Sequence, residues 1–304
     1  MSLAACPGVV EFLGDILRQT RRLSESISFM NRYSTVEHFA DGLRLRAGLN
    51  DTAATDRLLD AFCKVPLEAF AGSGPWRVQS PRAPQKRPIT TPDAHPCWLY
   101  HDMLVVLDET KEINIGQPSM WARFLANSDI QDGARILQVG AGVGYYTSIL
   151  SHIAGPDGNV FAYDIEVELA QRASSNLAGY TNVTVRHGNA ATDLSDEVPF
   201  DVVVAFAGVT HIPNAWSKHL APKAKLLLPL TGTMGSGAMI LAQPDDDGFC
   251  AKTLGRCGFY HCSGVRDDKL AAEIDKMFAN TERLEDWQFR ITKRDETWRF
   301  VTLL

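Results

Sequence analysis

The sequence predicts a doubly wound α/β fold with a mostly parallel sheet, and three observations carry that expectation. From about residue 119 onward, apolar strand-like runs alternate with helix-like stretches. One run, Ile136-Leu137-Gln138-Val139, ends in glycines at alternate positions, Gly140, Gly142 and Gly144, before a helix-like segment from Tyr145 to about Ile153. A second run, Asn159 to Tyr163, stops at Asp164, 24 residues after Gly140.

Taken in order, residues 9–47 are rich in helix formers, with Phe12, Leu13, Ile16, Leu17 and Leu23 near helical spacing. They predict two helices: a lid, a dimerisation element or, more plainly, a packing extension. Thr55 to Phe70 reads as a further helix that stops near Val65-Pro66, because proline disfavours a helical residue before it. Residues 71–97 hold six prolines and little periodicity, which predicts a long loop. Arg77, Arg82, Lys86 and Arg87 are candidates there to meet an anionic substrate, with a solvated linker as the default.

The alternating region predicts strands at 135–139, 159–163, 182–186, 201–206 and 224–230, and helices at 119–127, 145–153, 166–178 and 213–220. Ligands of such sheets sit at the carboxyl ends of the strands, where Gly140, Asp164, Asn189 and Gly208 fall. Beyond 235 the expectation is a strand at 238–243, an acidic turn Asp245-Asp246-Asp247-Gly248, a helix near 267–280 and a terminal strand pair, 286–292 and 297–303. The chain thus divides into a helical extension with a Pro-rich loop (1–100), a cofactor-binding core (101–235) and a C-terminal extension (236–304) that completes the sheet or covers the site.

Composition bounds the function. A 45% hydrophobic content supports a sizeable core, and no apolar run approaches the ~20 residues that span a membrane. The first 15 residues lack the basic and apolar regions of a signal peptide. Six scattered cysteines, at 6, 63, 97, 250, 257 and 262, suit a reducing cytoplasm. A net charge of −6 argues against nonspecific nucleic-acid binding. Neither His95-x-Cys97-x3-His101 nor Cys250-x6-Cys257-x4-Cys262 has the paired spacing of a zinc site, so no metal is expected.

A strand entering a glycine turn and a helix N-terminus is how α/β proteins hold a nucleotide-like cofactor, and an acid about 20 residues on grips a ribose. A dinucleotide fingerprint would place its third glycine at position 145, which is Tyr145. The observed G-x-G-x-G followed by a bulky residue favours S-adenosylmethionine over NAD.

Further motifs narrow the class. Val65-Pro66 with Phe70, the segment Glu112-Ile113-Asn114-Ile115-Gly116-Gln117-Pro118, the loop Val139 to Tyr145, Phe200-Asp201, Leu220-Ala221-Pro222 and Leu228-Pro229-Leu230 together resemble the protein-L-isoaspartate O-methyltransferases, over roughly Leu58 to Gly232. The resemblance implies a Rossmann-like class I methyltransferase sheet, here with a helical N-terminal extension and an α+β C-terminal extension. It also implies S-adenosyl-L-methionine as cofactor and a peptide or protein carboxylate as acceptor. Carried onto this chain, cofactor contacts fall on Gly140, Ala141, Gly142, Gly144, Tyr145, Asp164, Ile165, Asn189 and Ala190, with Ile115, Gln117 and Ser119 closing over the methyl. The chain departs from the family at the hydroxyl residue of the Ser-Gln-Pro segment, which is Gly116. It departs again at the acid of the glycine-loop strand, which is Gln138, at Gly188-Asn189, and after the fourth strand, where Ala207-Gly208-Val209-Thr210-His211 stands. Asn114 is a candidate to replace the missing hydroxyl at the catalytic segment.

Methyl transfer is an in-line displacement, and alignment alone can remove ~7–11 kcal/mol of barrier. A carboxylate, with a pKa of ~4, is ionised at neutral pH and needs no general base. If the acceptor is instead a small-molecule hydroxyl, His211 is the candidate base. A non-catalytic binding module, with Gly116 and Gln138 as signs of decay, is the third reading. Trp98, Trp121, Tyr145 and Tyr146 either shape a substrate pocket or pack in the core. The tetrad that DNA amino-methyltransferases carry after the fourth strand is replaced by AGVTHIP. The acceptor is therefore a peptide, protein or small molecule, not nucleic acid or membrane.

Overall fold

The nine-stranded sheet of this chain is parallel in one half and antiparallel in the other. The computed structural model describes residues 35–82, 87–111, 113–194, 199–279, 285–294 and 297–303. The expected N-terminal helices fall partly outside them; what is described is helix α1 over 35–47, which buries Val36, Phe39, Ala40, Leu43 and Ala47 along one face. Helix α2 (Ala53–Lys64) starts at Thr52, whose hydroxyl accepts from Thr55 N–H at 3.1 Å, and stops before Pro66. The remainder of the expected helix is a separate short one, α3 (Leu67–Ala71).

The segment 71–97 is not one long loop, which corrects the expectation. It contributes β1 (Arg77–Gln79), β2 (Ile89–Thr90) and a 3-10 turn, Pro96–Leu99. With β3 (Leu104–Asp108) and β4 (Ile113–Ile115) they form a small sheet in the order β2-β1-β3-β4. Strands of two and three residues are too short to show period two, so proline content dominated the reading. Arg77, one of the candidate cations, is paired with Glu109 at 2.6 Å; Lys86 lies outside the described residues.

The alternating region follows as α4 (Pro118–Ser128), β5 (Arg135–Val139), α5 (Tyr145–Ala154), β6 (Asn159–Asp164), α6 (Val167–Asn176), β7 (Val183–His187), β8 (Phe200–Ala205), α7 (Asn214–Lys218) and β9 (Leu220–Thr231). The C-terminal stretch adds β10 (Ser236–Asp245), β11 (Gly248–Gly258), α8 (Asp268–Ala279), β12 (Glu285–Arg294) and β13 (Thr297–Leu303). Sheet order is β13-β12-β11-β10-β9-β8-β5-β6-β7. Pairing is parallel from β7 to β9 and antiparallel from β9 to β13. Strand β11 had no counterpart in the sequence reading; the acidic turn Asp245–Gly248 is its hairpin with β10.

Residues along the central strands alternate between two apolar layers. Ile136, Val202 and Val204 face the layer made by α1, α2, α4, α5 and α6, whereas Leu137, Val203 and Ala205 face the layer of α7 and α8. Burial on both faces explains the continuous apolar runs that marked these strands. None of the described helices is long and apolar enough to cross a membrane.

Candidate active site

The chain leaves β5 toward β6 and β7, then returns to β8 on the other side. Loops after β5 and β8 therefore diverge and leave a crevice at the carboxyl edge. Val139 O accepts from Phe206 N–H at 2.7 Å, and Tyr163 O accepts from Gly140 and Ala141 N–H at 2.8 and 2.9 Å. The glycine loop is thus rooted in both neighbouring strands. Gly140, Gly142 and Gly144 have φ of +87°, +56° and +93°, a region that costs other residues roughly 1–2 kcal/mol. A Cβ at Gly144 would stand 2.8 Å from Leu177 Cδ1, whereas one at Gly142 meets nothing within 4 Å. The middle of the loop faces open space, and the first-turn N–H groups of α5 follow it.

Asp164 closes this loop from the side. Its Oδ2 accepts from Gly142 N–H at 2.7 Å and its Oδ1 from Glu166 N–H at 2.9 Å. Only 6% of the residue is exposed, and burial raises its pKa above the usual carboxylate value, with the two N–H donors opposing the rise. The next residue, Ile165, is 46% exposed and offers an apolar face beside the carboxylate. Ala190 is buried, its carbonyl accepting from Trp216 Nε1 at 3.0 Å. Asn189 is committed within the protein: its Oδ1 accepts from Ala191 N–H at 2.9 Å, and its Nδ2 lies against Gly264, leaving no room for a side chain there. A turn of the C-terminal extension therefore shares the amide that was expected at the cofactor.

The Gln-Pro segment approaches from the opposite side, between β4 and α4. Tyr146 OH donates to Gly116 O at 2.6 Å, tying the segment to α5. Gln117 Nε2 donates to Asp102 Oδ2 at 2.8 Å and to Ser119 Oγ at 3.0 Å, while Ser119 donates its N–H and hydroxyl to Asp102 at 2.8 and 2.6 Å. Asp102 was absent from the candidate residues. The readable signal was the β3–β4 hairpin: Val105 pairs with Ile115, so the same register carried outward sets 102 opposite 118. Ile115 is buried, and Asn114 sits one residue earlier on β4, opposite Val106 and half-buried. No described hydrogen bond joins Asn114 to the glycine loop.

Trp121 and Tyr146 are buried in the core beside the Gln-Pro segment. The indole stacks on Phe206 with centroids 3.8 Å apart, and the edge of Phe259 meets it at 5.5 Å. Tyr145 turns inward against Phe70 and Phe62, and burial holds its phenol well above the usual value. Its side chain therefore packs in the core, and only its backbone belongs to the glycine loop. Trp98 stays in the Pro-rich segment, donating to Asp93 Oδ1 at 2.8 Å. His211 is half-buried and shares a hydrogen bond with Thr210 Oγ1 at 3.1 Å. The preceding residues are held by the C-terminal extension: Gly208 N–H donates to Tyr260 O, Cys262 N–H to Gly208 O and Thr210 N–H to Val265 O. Among the described residues, no three His, Cys, Asp or Glu side chains converge as a metal site would require.

The profile of the family described as "Protein-L-isoaspartate(D-aspartate) O-methyltransferase (PCMT)" matches residues 87–264, more than half the chain and all of the crevice. The chain belongs to that family. It is accordingly an O-methyltransferase of the isoaspartyl class. A protein-L-isoaspartate O-methyltransferase of Koribacter versatilis is 33% identical over 177 residues, covering 58% of this chain and 68% of the relative. One from Methanothermobacter thermautotrophicus is 28% identical over 181 residues, covering 59% and 82%. A solved protein-L-isoaspartate O-methyltransferase has the same fold at 17% identity, with a TM-score of 0.61 over 87% of each chain.

Proposed function

We propose that this isoaspartyl-class methyltransferase transfers a methyl group from S-adenosylmethionine to the carboxylate of an isoaspartyl residue in a peptide or protein. The observation that carries the reading is the Asp164 carboxylate clamped on Gly142 N–H, beside open space at the glycine loop. That arrangement fits the cofactor. Asp164 has carboxylate lone pairs left for ribose hydroxyls, Ile165 offers a face to the adenine, and the α5 N-terminus receives the polar middle of the ligand. When bound, the sulfonium supplies an already activated methyl.

The chain's own residues then position and enclose. Ile115 to Gln117 close over the methyl, and Asp102 fixes that segment by anchoring Gln117 and Ser119. An isoaspartyl carboxylate arrives ionised, so no residue has to remove a proton. Phe206, Trp121 and Tyr146 keep water from the reacting atoms and lower the local dielectric, which strengthens attraction between carboxylate and sulfonium. The product ester and thioether are both neutral, so an apolar wall favours charge recombination.

The reading extends to the rest of the chain. Residues 101–235 form the cofactor core, residues 236–304 flank it, and the five described cysteines are free, in keeping with a cytoplasmic enzyme. The test is methyl incorporation from labelled S-adenosylmethionine into an isoaspartyl peptide, its normal aspartyl twin and a control without peptide. Base-labile label on the isoaspartyl peptide alone is the expected result. No label on either peptide, despite cofactor binding, would overturn the acceptor.

A further inference from the structure

Trp121 is 1% exposed, yet its indole N–H has no hydrogen-bond partner among the described residues. A donor that the fold leaves unpaired is available to a ligand. Among the described residues, the side-chain polar atoms sealed from solvent without a partner are Arg57 Nε, Arg77 Nε, Gln138 Oε1, Tyr145 OH and Thr147 Oγ1. The Trp121 nitrogen is not one of them and therefore keeps a narrow opening.

That opening lies in an informative place. A Cβ added at Gly116 would stand 2.5 Å from Nε1 and 3.0 Å from Cδ1, so the pyrrole edge of the indole fills the space that a residue-116 side chain would occupy. The ring's face is stacked on Phe206 at 3.8 Å, and Phe206 Cβ would stand 3.3 Å from a Cβ on Gly140. The N–H thus sits between the Gln-Pro segment and the root of the glycine loop, beside the stacked ring of Phe206.

We propose that the indole N–H of Trp121 donates a hydrogen bond to the acceptor carboxylate, holding its non-attacking oxygen while the other oxygen takes the methyl. The proposal rests on carboxylate methylation as the reaction. The O–CH3 bond forms as the C–S bond breaks, the sulfonium leaves as a neutral thioether, and no proton moves, so the indole stays N–H throughout. Trp121 is on this account the residue that selects the acceptor in a chain with only glycine at 116.

Two measurements test it. In Trp121→Phe the ring stack is retained and the donor lost. The expected result is a KM for isoaspartyl peptide raised roughly ten- to a hundredfold, as for a lost hydrogen bond to a charged group. S-adenosylhomocysteine affinity and thermal midpoint should stay near the parent values, and Gly116→Ser added to Trp121→Ala should recover part of the loss. Unchanged kcat/KM in a folded Trp121→Phe protein would overturn the assignment. Independently, 15N-indole labelling of the parent protein should show one of the six tryptophan N–H signals, absent in Trp121→Phe, shifting on addition of isoaspartyl peptide with S-adenosylhomocysteine. Methylation without that shift would defeat the role of Trp121 and leave the reaction standing. A shift without methyl transfer would leave the donor standing and defeat the reaction.

Discussion

Asp102 and Gln117 are joined across the mouth of a β-hairpin: Gln117 Nε2 donates to Asp102 Oδ2 at 2.8 Å, and the same carboxylate takes both donors of Ser119. A carboxylate that precedes β3 thereby fixes the Gln-Pro segment, the chain leaving β4.

Replacing Asp102 with Ala leaves the Ser119 N–H and hydroxyl without their acceptor and the Gln117 amide with Ser119 Oγ alone. Each unsatisfied buried donor costs about 1–3 kcal/mol, and the part-buried setting here puts the expected total near the lower end. The thermal midpoint should fall by several degrees, at about 2–4 °C per kcal/mol for a chain of this size. Because the closing segment loosens, kcat should fall more than tenfold. Calorimetry and steady-state kinetics on Asp102→Ala check both; a stable variant with full kcat would contradict the positioning role.

Asp164 should govern cofactor affinity and its pH dependence. Asp164→Ala should weaken S-adenosylhomocysteine binding at least tenfold by titration calorimetry. Burial raises the folded-state pKa of Asp164 above the ordinary value of 3.8. The native state therefore holds this proton more tightly than the unfolded chain. Its contribution to stability is present below pH 3.8 and is lost as pH rises through the raised folded value. Cofactor affinity should move the opposite way, improving as the carboxylate ionises. In Asp164→Asn both slopes should flatten within that window, and a parent-like slope would place the titration on another group.

His211→Ala should retain activity within about threefold on an isoaspartyl peptide, because an ionised acceptor needs no base. Loss of a true general base typically costs 10²–10⁴-fold. A drop of that size, with a pH profile that loses its limb near neutrality, would favour a hydroxyl acceptor.

Gly144→Ala should destabilise by about 1–3 kcal/mol. The residue's φ is +93°, and the new Cβ would stand 2.8 Å from Leu177 Cδ1 and 3.5 Å from Ala173 Cα. The cofactor should bind more weakly as well, since α5 begins at the next residue. Thermal midpoint and binding titration on this single variant separate the two effects. A variant as stable as the parent would mean that the loop relaxes without strain.

The parallel half of the fold was legible because its strands are buried on both faces. Val160 and Val202 belong to unbroken apolar runs and Ile136 to one interrupted by Gln138 alone, and the glycines and Asp164 mark where two of those runs end. Short or mixed elements were not. Arg77–Gln79 and Ile89–Thr90 offer too few residues for any period, and the half-exposed pattern of β11 blurs alternation. Around the crevice, the glycine loop and Asp164 stand out in the sequence through local spacing, whereas Asp102, Phe206 and Phe259 are held there by tertiary contacts. The packing of Trp121 against Gly116 was likewise invisible, because the absence of a Cβ is written in the sequence but what fills the space is not.

The pinning of Gly208 to Thr210 by Tyr260, Cys262 and Val265 has a consequence for the modularity of this enzyme. One of the two loops that open the crevice is built from chain segments some fifty residues apart, so the parallel half alone does not make a transplantable catalytic unit. Shortening or exchanging the C-terminal wing would redraw the crevice itself. A substitution in the wing therefore acts on the loop after β8, and one in that loop on the wing.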